Sequence, residues 1–402
     1  MKTERHHKII KLISSAGFVR VSALSEHLKV TKETIRADLN ELSQRGLLNR
    51  CHGGAYIDIS SLDSVTKNEI IHVLESVDSL DAITKGPPVM INNVCVLGSF
   101  NVDIINYLPR LPDTGESLLS GKLIFSPGGK GCNQALAASY ADANVTFITK
   151  IGSDHFSEYA SSFINASVIK KPVIYKSEEV QTGTASILVD ETTGENIIAI
   201  FPGANMTFSD DEVSLQQDAI AESNILLLQL ETNPEALARA VELAKKNNIP
   251  VIINPAPYDS CINHFLDDLD YLTPNETEAG LLTGISVIDD KSAMEAARAI
   301  NKKGVKNVVI TLGKKGSVAY DGKRFIVSPA FPAVVKNTAG AGDAFNGALA
   351  SELARGCSLA NALIYATAFS SLAVETANAS DMPDNQAVLH RIKTTQYRQI
   401  IS

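Results

Sequence analysis

The chain contains 402 residues, which is enough for two or three domains with complete hydrophobic cores. Its hydrophobic content of 45% and charged content of 20% are ordinary for a soluble globular protein. No apolar run reaches membrane-spanning length and residues 1–8 contain no apolar signal core, so we expect a cytoplasmic protein with no membrane partner.

The cysteines fit the same compartment. There are five, at positions 51, 95, 132, 261 and 357. They form no Cys-x-x-Cys pair and have no histidine at metal-binding spacing, which predicts reduced thiols that mostly fill cores.

The charge is distributed unevenly along the chain. Residues 1–55 hold ten Lys and Arg against five Asp and Glu, a net charge of +5. The remaining 347 residues carry 26 against 40, a net charge of −14. A short basic head on an acidic body suggests that only the head contacts a polyanion.

The head has the pattern of three helices. Apolar residues predict a first helix that ends near Gly17 and a second over Val21–Leu28. Thr31 is a good N-cap for a third helix, in which Ile35, Leu39 and Leu42 share one face. Residues 47–55 then predict a short hairpin. Two helices, a tight turn and a basic third helix indicate a helix-turn-helix with a wing, and the alternative is a three-helix interaction module.

This segment resembles the DeoR-type winged helix-turn-helix of bacterial sugar regulators. The likeness covers residues 3–57 and includes Val30–Leu42 and the run Arg50-Cys-His-Gly-Gly-Ala. It implies binding to a double-stranded DNA operator by a homodimer. The residues expected to contact base edges and phosphates are Thr31, Lys32, Thr34 and Arg36, with Arg50 in the wing.

Residues 58–92 are polar and acidic and predict a linker between a domain at 1–57 and one at 93–402. One amphipathic helix is expected near Glu69–Leu80, because the Gly86-Pro-Pro that follows stops a helix. That helix could pair with its copy in a dimer or pack on the next domain.

The acidic body alternates strands and helices, which indicates an α/β fold with a mostly parallel sheet. Each apolar run is expected to be followed by a helix. The predicted strands are Val94–Leu97, Val145–Ile148, Ile225–Leu230, Val251–Ile253, Tyr271–Thr273 and Val308–Thr311. Two segments, Ser117–Phe125 and Thr182–Phe201, look instead like hairpins that form a small β lid over a site.

Several predicted strands end in polar residues, at the sheet edge where ligands bind in such folds. Asn101 and Asp103 are spaced to grip sugar hydroxyls or to cap a turn. Residues 128–133, Gly-Gly-Lys-Gly-Cys-Asn, open a helix without the full P-loop pattern. Glu231 also ends a strand. Further along the chain stand Asn254-Pro-Ala-Pro, Asn275 with Glu278 as a capping pair, and a glycine turn at Thr311-Leu-Gly313-Lys-Lys-Gly316.

The most informative stretch is residues 337–347, Asn-Thr-Ala-Gly-Ala-Gly-Asp-Ala-Phe-Asn-Gly. A glycine-rich loop that enters a helix offers free N–H groups to an anion such as a phosphate. Asp343 would repel that anion unless it serves as a general base for an acceptor hydroxyl. The alternative is a turn with an acidic residue in the first helical turn.

Together these features resemble the ribokinase (PfkB) family of sugar kinases, over about residues 93–395. The resemblance implies a ribokinase-like α/β sandwich that transfers the γ-phosphoryl group of ATP directly to the 5-hydroxyl of ribose, with Mg²⁺ as cofactor. It implies Asp343 as catalytic base and Gly340, Ala341 and Gly342 as anion hole. The implied sugar residues are Asn101, Asp103, Gly129, Lys130, Asn133 and Glu231. The implied ATP residues are Asn275, Thr311, Gly313, Gly316, Ala341 and Gly342, with Glu278 acting indirectly on magnesium.

Three features depart from the family: Asn337, Thr367 and the distal part of a cation loop near Ala377-Asn-Ala-Ser-Asp, which lacks the usual glycine. Asn337 stands where the family usually has an aspartate linked to a monovalent-cation loop, and the lost charge predicts weaker K⁺ binding. Thr367 stands where an aromatic residue or histidine can stack near adenine. The expected protein is a ribose kinase with a regulatory DNA-binding head. The alternatives are a sugar-sensing transcription factor with an inactive kinase body and a kinase for 2-deoxyribose or another pentose or nucleoside.

Overall fold

The computed structural model describes residues 2–16, 18–51, 54–57 and 92–402. The chain divides into two compact units, one of Met1–Ile91 with Arg355–Ser358 and one of Asn92–Ala354 with Leu359–Ser402. The helix expected near residues 69–80 lies outside the described residues. No helix within the described ranges has both the length and the apolar character that crossing a bilayer requires.

The N-terminal unit is a helix-turn-helix with a small antiparallel sheet. Its elements are α1 (Lys2–Ala16), β1 (Phe18–Arg20), α2 (Val21–Leu28), α3 (Lys32–Gln44), β2 (Asn49–Cys51) and β3 (Gly54–Tyr56). The sheet order is β1-β3-β2. The three helices and the hairpin confirm the prediction from sequence, whereas β1 is a third strand that the sequence did not suggest.

Helix α3 begins and packs as its sequence predicts. The Thr34 N–H donates to the Thr31 hydroxyl at 3.2 Å, which satisfies one of the free N–H groups at the helix start. Ile35, Leu39 and Leu42 are fully buried in the core of this unit. Lys29 ends α2 in a left-handed conformation and makes the tight turn between the two helices.

A buried carboxylate ties α3 to α1. Asp38 accepts from the Arg5 guanidinium Nη2 at 3.0 Å and lies 3.0 Å from the His6 Nε2. Burial alone would raise the pKa of Asp38, but hydrogen bonds from Arg5 and His6 lower it below its usual range. This link fixes the orientation of α3 on α1.

The C-terminal unit contains strands and helices in α/β order. Its strands are β4 (Asn93–Leu97), β5 (Asn101–Leu108), β6 (Lys122–Gly128), β7 (Asn144–Gly152), β8 (Lys171–Ser177), β9 (Gly183–Asp190), β10 (Asn196–Phe201), β11 (Ile225–Gln229), β12 (Val251–Asn254), β13 (Tyr271–Leu272), β14 (Asn307–Thr311), β15 (Ser317–Tyr320), β16 (Phe325–Ser328) and β17 (Ile400–Ile401). Its helices are α4 (Lys130–Tyr140), α5 (His155–Ala166), α6 (Asp210–Ser214), α7 (Gln217–Ala221), α8 (Pro234–Lys246), α9 (Glu276–Thr283), α10 (Asp290–Asn301), α11 (Ala341–Ala354), α12 (Leu359–Ala373) and α13 (Asn385–Thr394).

Ten strands form the main sheet in the order β17-β16-β15-β14-β13-β12-β11-β4-β7-β8. The seven neighbouring strands β14, β13, β12, β11, β4, β7 and β8 are parallel to one another. On the other side of β14, the strands β15, β16 and β17 each pair antiparallel with the strand before them. The expectation of a helix after every apolar run is therefore wrong at β4, which is followed by β5 and β6, at β12, which is followed only by short 3-10 turns, and at β14. There the Leu312 N–H donates to the Gly316 carbonyl, and the chain turns straight back into β15.

Four strands form a second sheet in the order β10-β9-β5-β6. The hairpin at 182–201 is confirmed, since β9 and β10 pair from Thr184–Phe201 to Val189–Asn196. The hairpin at 117–125 is wrong in its bounds. Strand β5 pairs with β6 from Asn101–Gly128 to Tyr107–Lys122, so residues 117–121 belong to the connection and not to a strand pair.

The order of the main sheet creates a crevice at one edge. Strand β4 lies between β7 and β11, and the chain adds strands on one side to β8 and on the other side to β14. The carboxyl ends of β4 and β11 thus flank the point where the sheet changes its winding direction, which is where open α/β sheets bind ligands.

Candidate active site and nucleic-acid interface

The crevice is built by contacts between the ends of β4 and β11 and the start of α4. The Ser99 hydroxyl, just after β4, donates to the Glu231 carboxylate, just after β11. The same Glu231 oxygen accepts the Lys130 N–H at 3.0 Å. Glu231 therefore holds the first turn of α4 against both strand ends.

The four-stranded sheet β10-β9-β5-β6 forms the lid. Its strand β5 brings a second carboxylate, that of Asp103, to the crevice. Gly129 has φ +87°, and a Cβ there would lie 2.8 Å from the Asn101 backbone nitrogen, so glycine permits this close approach. A Cβ at the neighbouring Gly128 would lie within 2.4 Å of the Asp103 carboxylate. Burial, followed by the charges of Glu231 and Asp343, raises the pKa of Asp103 to about 7.

Asp343 completes the cluster from the first turn of α11. Its Oδ1 accepts from the Gln134 Nε2 at 3.0 Å and its Oδ2 from the Asn133 Nδ2 at 3.2 Å. The charge of Asp343, more than any other group, raises the pKa of Lys130. Three carboxylates and one ammonium group thus lie close enough to act on one another by charge.

Two of the sequence-predicted sugar residues have different surroundings. The Asn133 Oδ1 is buried and, among the described residues, has no hydrogen-bond donor. Such an orphaned acceptor inside a polar pocket fits a ligand hydroxyl. The Asn101 Oδ1, in contrast, accepts from the Asn205 Nδ2 at 2.9 Å, which fixes Asn101 at the base of the lid.

A cavity of about 540 Å³ adjoins the start of α11. Five of the six residues expected around ATP line its wall, namely Thr311, Gly313, Gly316, Ala341 and Gly342. Its volume suits a nucleotide, and most of its wall is apolar, with Phe331, Phe345 and Val374 beside the predicted Thr367. Asn275 instead pairs with Thr311 through a parallel bridge.

The first turn of α11 faces both the cavity and the pocket. Gly340 has φ +77°, a value that favours glycine, and its Cβ would meet the Ala379 backbone at 2.7 Å. The Ala341 N–H donates to the Thr338 carbonyl at 3.2 Å. Gly342 has open space where a Cβ would stand, so its backbone is accessible to an anion. The predicted anion hole therefore depends more on Gly342 than on Ala341.

Asn275 and Glu278 form the capping box predicted as their structural role. The Glu278 N–H donates to the Asn275 Oδ1 at 2.9 Å, and the Glu278 carboxylate accepts the Asn275 N–H at 2.9 Å. Burial raises the pKa of Glu278. The charge of Lys130 acts on the same carboxylate in the opposite direction, so Glu278 is coupled to the pocket by charge.

Asn337 crosslinks the loop before α11 to the loop after α12. Its Nδ2 donates to the Ala377 carbonyl at 2.9 Å, and its Oδ1 accepts the Ala339 N–H at 2.9 Å. Carboxylate and carbonyl oxygens are the ligands that such cations take in proteins. Here an N–H donor faces that carbonyl, and the residues do not fit a monovalent cation.

The predicted DNA-contacting side chains lie together on α3 and the wing. Lys32, Arg36 and Arg50 are exposed, while the Thr31 and Thr34 hydroxyls lie 3.0 Å apart at the start of α3. The Arg50 guanidinium donates to Asn40 on α3, which places the wing arginine beside the helix. Exposed cations along one helix and its wing suit a phosphate backbone.

Known proteins share both units. Residues 91–386 match the pfkB family of carbohydrate kinases, and residues 5–61 match the DeoR-like helix-turn-helix domain. Ribokinase from Haemophilus influenzae is 37% identical over 302 residues, covering 75% of this chain and 98% of that protein. Deoxyribokinase from Salmonella typhi is 33% identical over 259 residues, covering 64% of this chain and 84% of that protein.

Two further comparisons extend the picture. Bifunctional ribokinase/ribose-5-phosphate isomerase A from Fructilactobacillus sanfranciscensis is 36% identical over 306 residues, which is 75% of this chain but 56% of that protein. The structure of Arabidopsis thaliana ribokinase complexed with ribose and ATP superposes with a TM-score of 0.70 at 31% identity, covering 76% of this chain and 99% of that chain. This chain therefore belongs to the pfkB family of carbohydrate kinases and carries an N-terminal DeoR-like helix-turn-helix domain.

The pocket also contains residues that the sequence did not reveal. Ser99 contacts Glu231 and Gln134 contacts Asp343, while Phe331 lines the 540 Å³ cavity. The only sequence signal for Gln134 was its place next to Asn133 in a glycine-rich helix start.

The raised pKa of Asp103 predicts how stability depends on pH in the sugar-free protein. The usual pKa of an aspartate is near 3.8, so between that pH and about pH 7 folded Asp103 keeps a proton that the unfolded chain has lost. The contribution of Asp103 therefore lowers the free energy of unfolding as the pH rises through this range. Asp103→Asn should raise Tm by a few degrees at pH 8 and less at pH 5. Thermal unfolding at both pH values measures this.

The exposed lid residue Asp113 gives the control. Asp113→Asn should leave the difference in Tm between pH 5 and pH 8 as in the wild type. A Tm change for Asp103→Asn that is equal at both pH values would contradict the assignment.

Proposed function

We propose that the protein phosphorylates D-ribose on its 5-hydroxyl with ATP, in the cytoplasm. The observation that carries the proposal is the position of Asp343. Its charge acts on both Asp103 and Lys130, and it stands on the helix turn whose Ala341 and Gly342 line the cavity. The ribokinase relatives, and the Arabidopsis structure with ribose and ATP, support the choice of sugar.

Each group in the pocket has a role in this proposal. Asp103, Glu231 and the orphaned Asn133 oxygen would accept or share hydrogen bonds with sugar hydroxyls. Asp343 would take the proton of the 5-hydroxyl as it attacks the γ-phosphorus in line. The Gly342 N–H and the Lys130 ammonium would balance the charge on the transferred group, and positioning supplies most of the rate.

Magnesium is the cofactor that ATP chemistry implies. Within the described ranges, no three His, Cys, Asp or Glu side chains form a protein-only metal cage. This fits a Mg²⁺ ion held mainly by phosphates and water, with Glu278 as the nearby carboxylate whose raised pKa a cation would lower. When bound, the ion would neutralise charge between the β- and γ-phosphates.

The direct test uses purified protein with ATP, Mg²⁺ and ribose. Asp343→Asn should lower kcat by about 10²- to 10⁴-fold, because it removes the base and keeps the size of the side chain. Formation of ribose phosphate measures the rate. A wild-type protein that makes no ribose phosphate, or an Asp343→Asn variant at full rate, would refute the proposal.

A 2-deoxyribose kinase is the second candidate, favoured by the deoxyribokinase relative at 33% identity. The polar residues Asp103 and Asn133 near the sugar favour a substrate with more hydroxyls, because an unpaired buried polar group is costly. The ratio of kcat/KM for ribose to that for 2-deoxyribose should exceed about ten. A ratio below one would select the deoxyribose kinase.

Potassium should be dispensable, because the Asn337 amide already bridges to Ala377. Kinase rates in KCl and in choline chloride at equal ionic strength should agree within about twofold. In Asn337→Asp the carboxylate would face the Ala377 carbonyl, and a cation would relieve that repulsion. KCl should therefore raise the Tm of this variant more than that of the wild type. A large loss of wild-type activity in choline chloride would contradict this account.

The head would act as the DNA-binding part of a homodimeric regulator of sugar use. The exposed cations of α3 and the wing support DNA binding. A dimer is supported by the exposed apolar side chains on the four-stranded sheet, which an unpartnered surface rarely shows. They are Leu123, Phe125, Ile197, Ile198, Ile200 and Phe201. Sedimentation equilibrium gives the oligomeric state, and a monomer at micromolar concentration would exclude the dimer.

Arg36→Ala should weaken DNA binding and reduce the slope of log K against log salt by about one, since one phosphate contact is lost. Fluorescence anisotropy with a labelled duplex measures both. The matched control is Arg324→Ala in the C-terminal unit. Like Arg36, Arg324 is exposed and pairs with an acidic residue three positions earlier. Unchanged DNA affinity in Arg36→Ala would contradict the assigned role of α3.

A further inference from the structure

A chain of buried amides lies behind the carboxylate of Asp343. Gln134, on α4, donates through Nε2 to the Asp343 Oδ1 at 3.0 Å and to the Asn254 Oδ1 at 3.1 Å. Its Oε1 accepts from the Gln229 Nε2 at 2.8 Å. Gln134 and Gln229 are both 0% exposed, so solvent replaces none of these bonds.

The chain of contacts returns to the helix that holds Asp343. The Asn254 Nδ2 donates to the Thr273 carbonyl at 3.0 Å, and the Thr273 hydroxyl donates to the Asn346 Oδ1. The Asn346 Nδ2 then donates to the Gly342 carbonyl at 2.8 Å. The ends of β11 and β12, the residue after β13 and helix α4 are thereby connected to both Gly342 and Asp343.

These amides are not needed to join the helices. Helices α4 and α11 already meet through their backbones, because a Cβ at Gly347 would lie 2.3 Å from the Gln134 carbonyl oxygen. An apolar side chain could fill the volume of Gln134 in this interior. The network also has a cost, since the Gln229 Oε1 is buried and no donor to it exists among the described residues.

We propose that Gln134, held in place by Gln229 and Asn254, is a positioning residue that orients the Asp343 carboxylate toward the acceptor hydroxyl. Gln134 holds Oδ1 at 3.0 Å and the Asn133 Nδ2 holds Oδ2 at 3.2 Å, so the two bonds together set the plane of the carboxylate. The inference rests on the proposed function of Asp343 as the base. Buried hydrogen-bond chains in a low-dielectric interior restrict the geometry of the group at their end.

Gln134→Met keeps the size of the side chain and removes the amide. It should lower kcat by about 10- to 100-fold, because a small misplacement of the base costs that much rate. The KM for the sugar should change less than threefold, since Gln134 is placed behind Asp343 and away from the sugar. A kcat within twofold of the wild type would overturn the proposal.

Gln229→Leu tests the same role without replacing Asp343 or any side chain that bonds to it, and it serves if Gln134→Met does not fold. It should lower kcat about three- to tenfold. In the double variant with Gln134→Met it should have no further effect, because it acts only through Gln134. Two independent, multiplying effects on kcat would overturn the proposed chain.

Asn301→Leu is the control for lost side-chain amide bonds far from Asp343, because Asn301 is a half-buried amide with two such bonds. The Asn301 Nδ2 donates to the Val305 and Lys306 carbonyls, at the opposite edge of the sheet. This variant should lower Tm and leave kcat unchanged. A kcat loss in Asn301→Leu equal to that in Gln134→Met would show that both variants act only through stability.

A readout apart from activity separates this inference from the proposed function. The NMR signals of the Gln134 side-chain NH₂, assigned by their loss in Gln134→Met, should move in both Asp343→Asn and Gln229→Leu. Signals that stay in place would overturn the network. If the wild-type protein phosphorylates no sugar but both signal shifts occur, the kinase proposal is refuted, while the hydrogen bonds of Gln134 to Asp343 and Gln229 are supported.

Discussion

The kinase unit depends on burying three carboxylates around one lysine at the switch point of its sheet. Asp103, Glu231 and Asp343 come from the lid, a strand end and a helix start. Burial, followed by the charges of Glu231 and Asp343, raises the pKa of Asp103. Lys130, whose pKa the charge of Asp343 raises, partly balances this negative charge. Such a cluster is costly in a sugar-free protein and is satisfied by a ligand rich in hydroxyls.

The fold explains why these groups meet. Parallel strands bring their carboxyl ends to one edge, and the change in winding direction beside β4 opens a crevice there. The lid adds Asp103 from above because Gly128 and Gly129 allow the chain to pass closely. Helix α11 then connects the carboxylate cluster to the 540 Å³ cavity, since Gly342 and Asp343 occupy the same turn.

Much of this arrangement could be predicted from local sequence, because it depends on local rules. The helix at Val21–Leu28, the cap at Thr31 and the capping box of Asn275 with Glu278 are set by neighbouring residues. The strand β5 and the role of Gln134 could not be predicted in this way. Strand pairing at Asn101 and the partners of a buried amide depend on residues far away in the chain.

The side chain of Asn337 determines how the glycine-rich loop before α11 is held in place. The Asn337 side-chain N–H donates directly to the Ala377 carbonyl. A carboxylate at this position has no such donor, so it could be linked to that carbonyl only through a cation between the two oxygens. The glycine-rich loop before α11 is thus held by the protein itself. The same loop carries Gly340, whose positive φ lets the chain pass the Ala379 backbone.

The central claim is that the sugar hydroxyl attacks the γ-phosphorus directly, with no phosphorylated protein as an intermediate. The stereochemical course at phosphorus tests it most directly, using ATP made chiral at the γ-phosphate with oxygen isotopes and ribose as acceptor. A single in-line transfer predicts inversion, with the phosphate bound to O5 of ribose. Retention of configuration would reveal two successive transfers through a phosphorylated protein and would contradict the account.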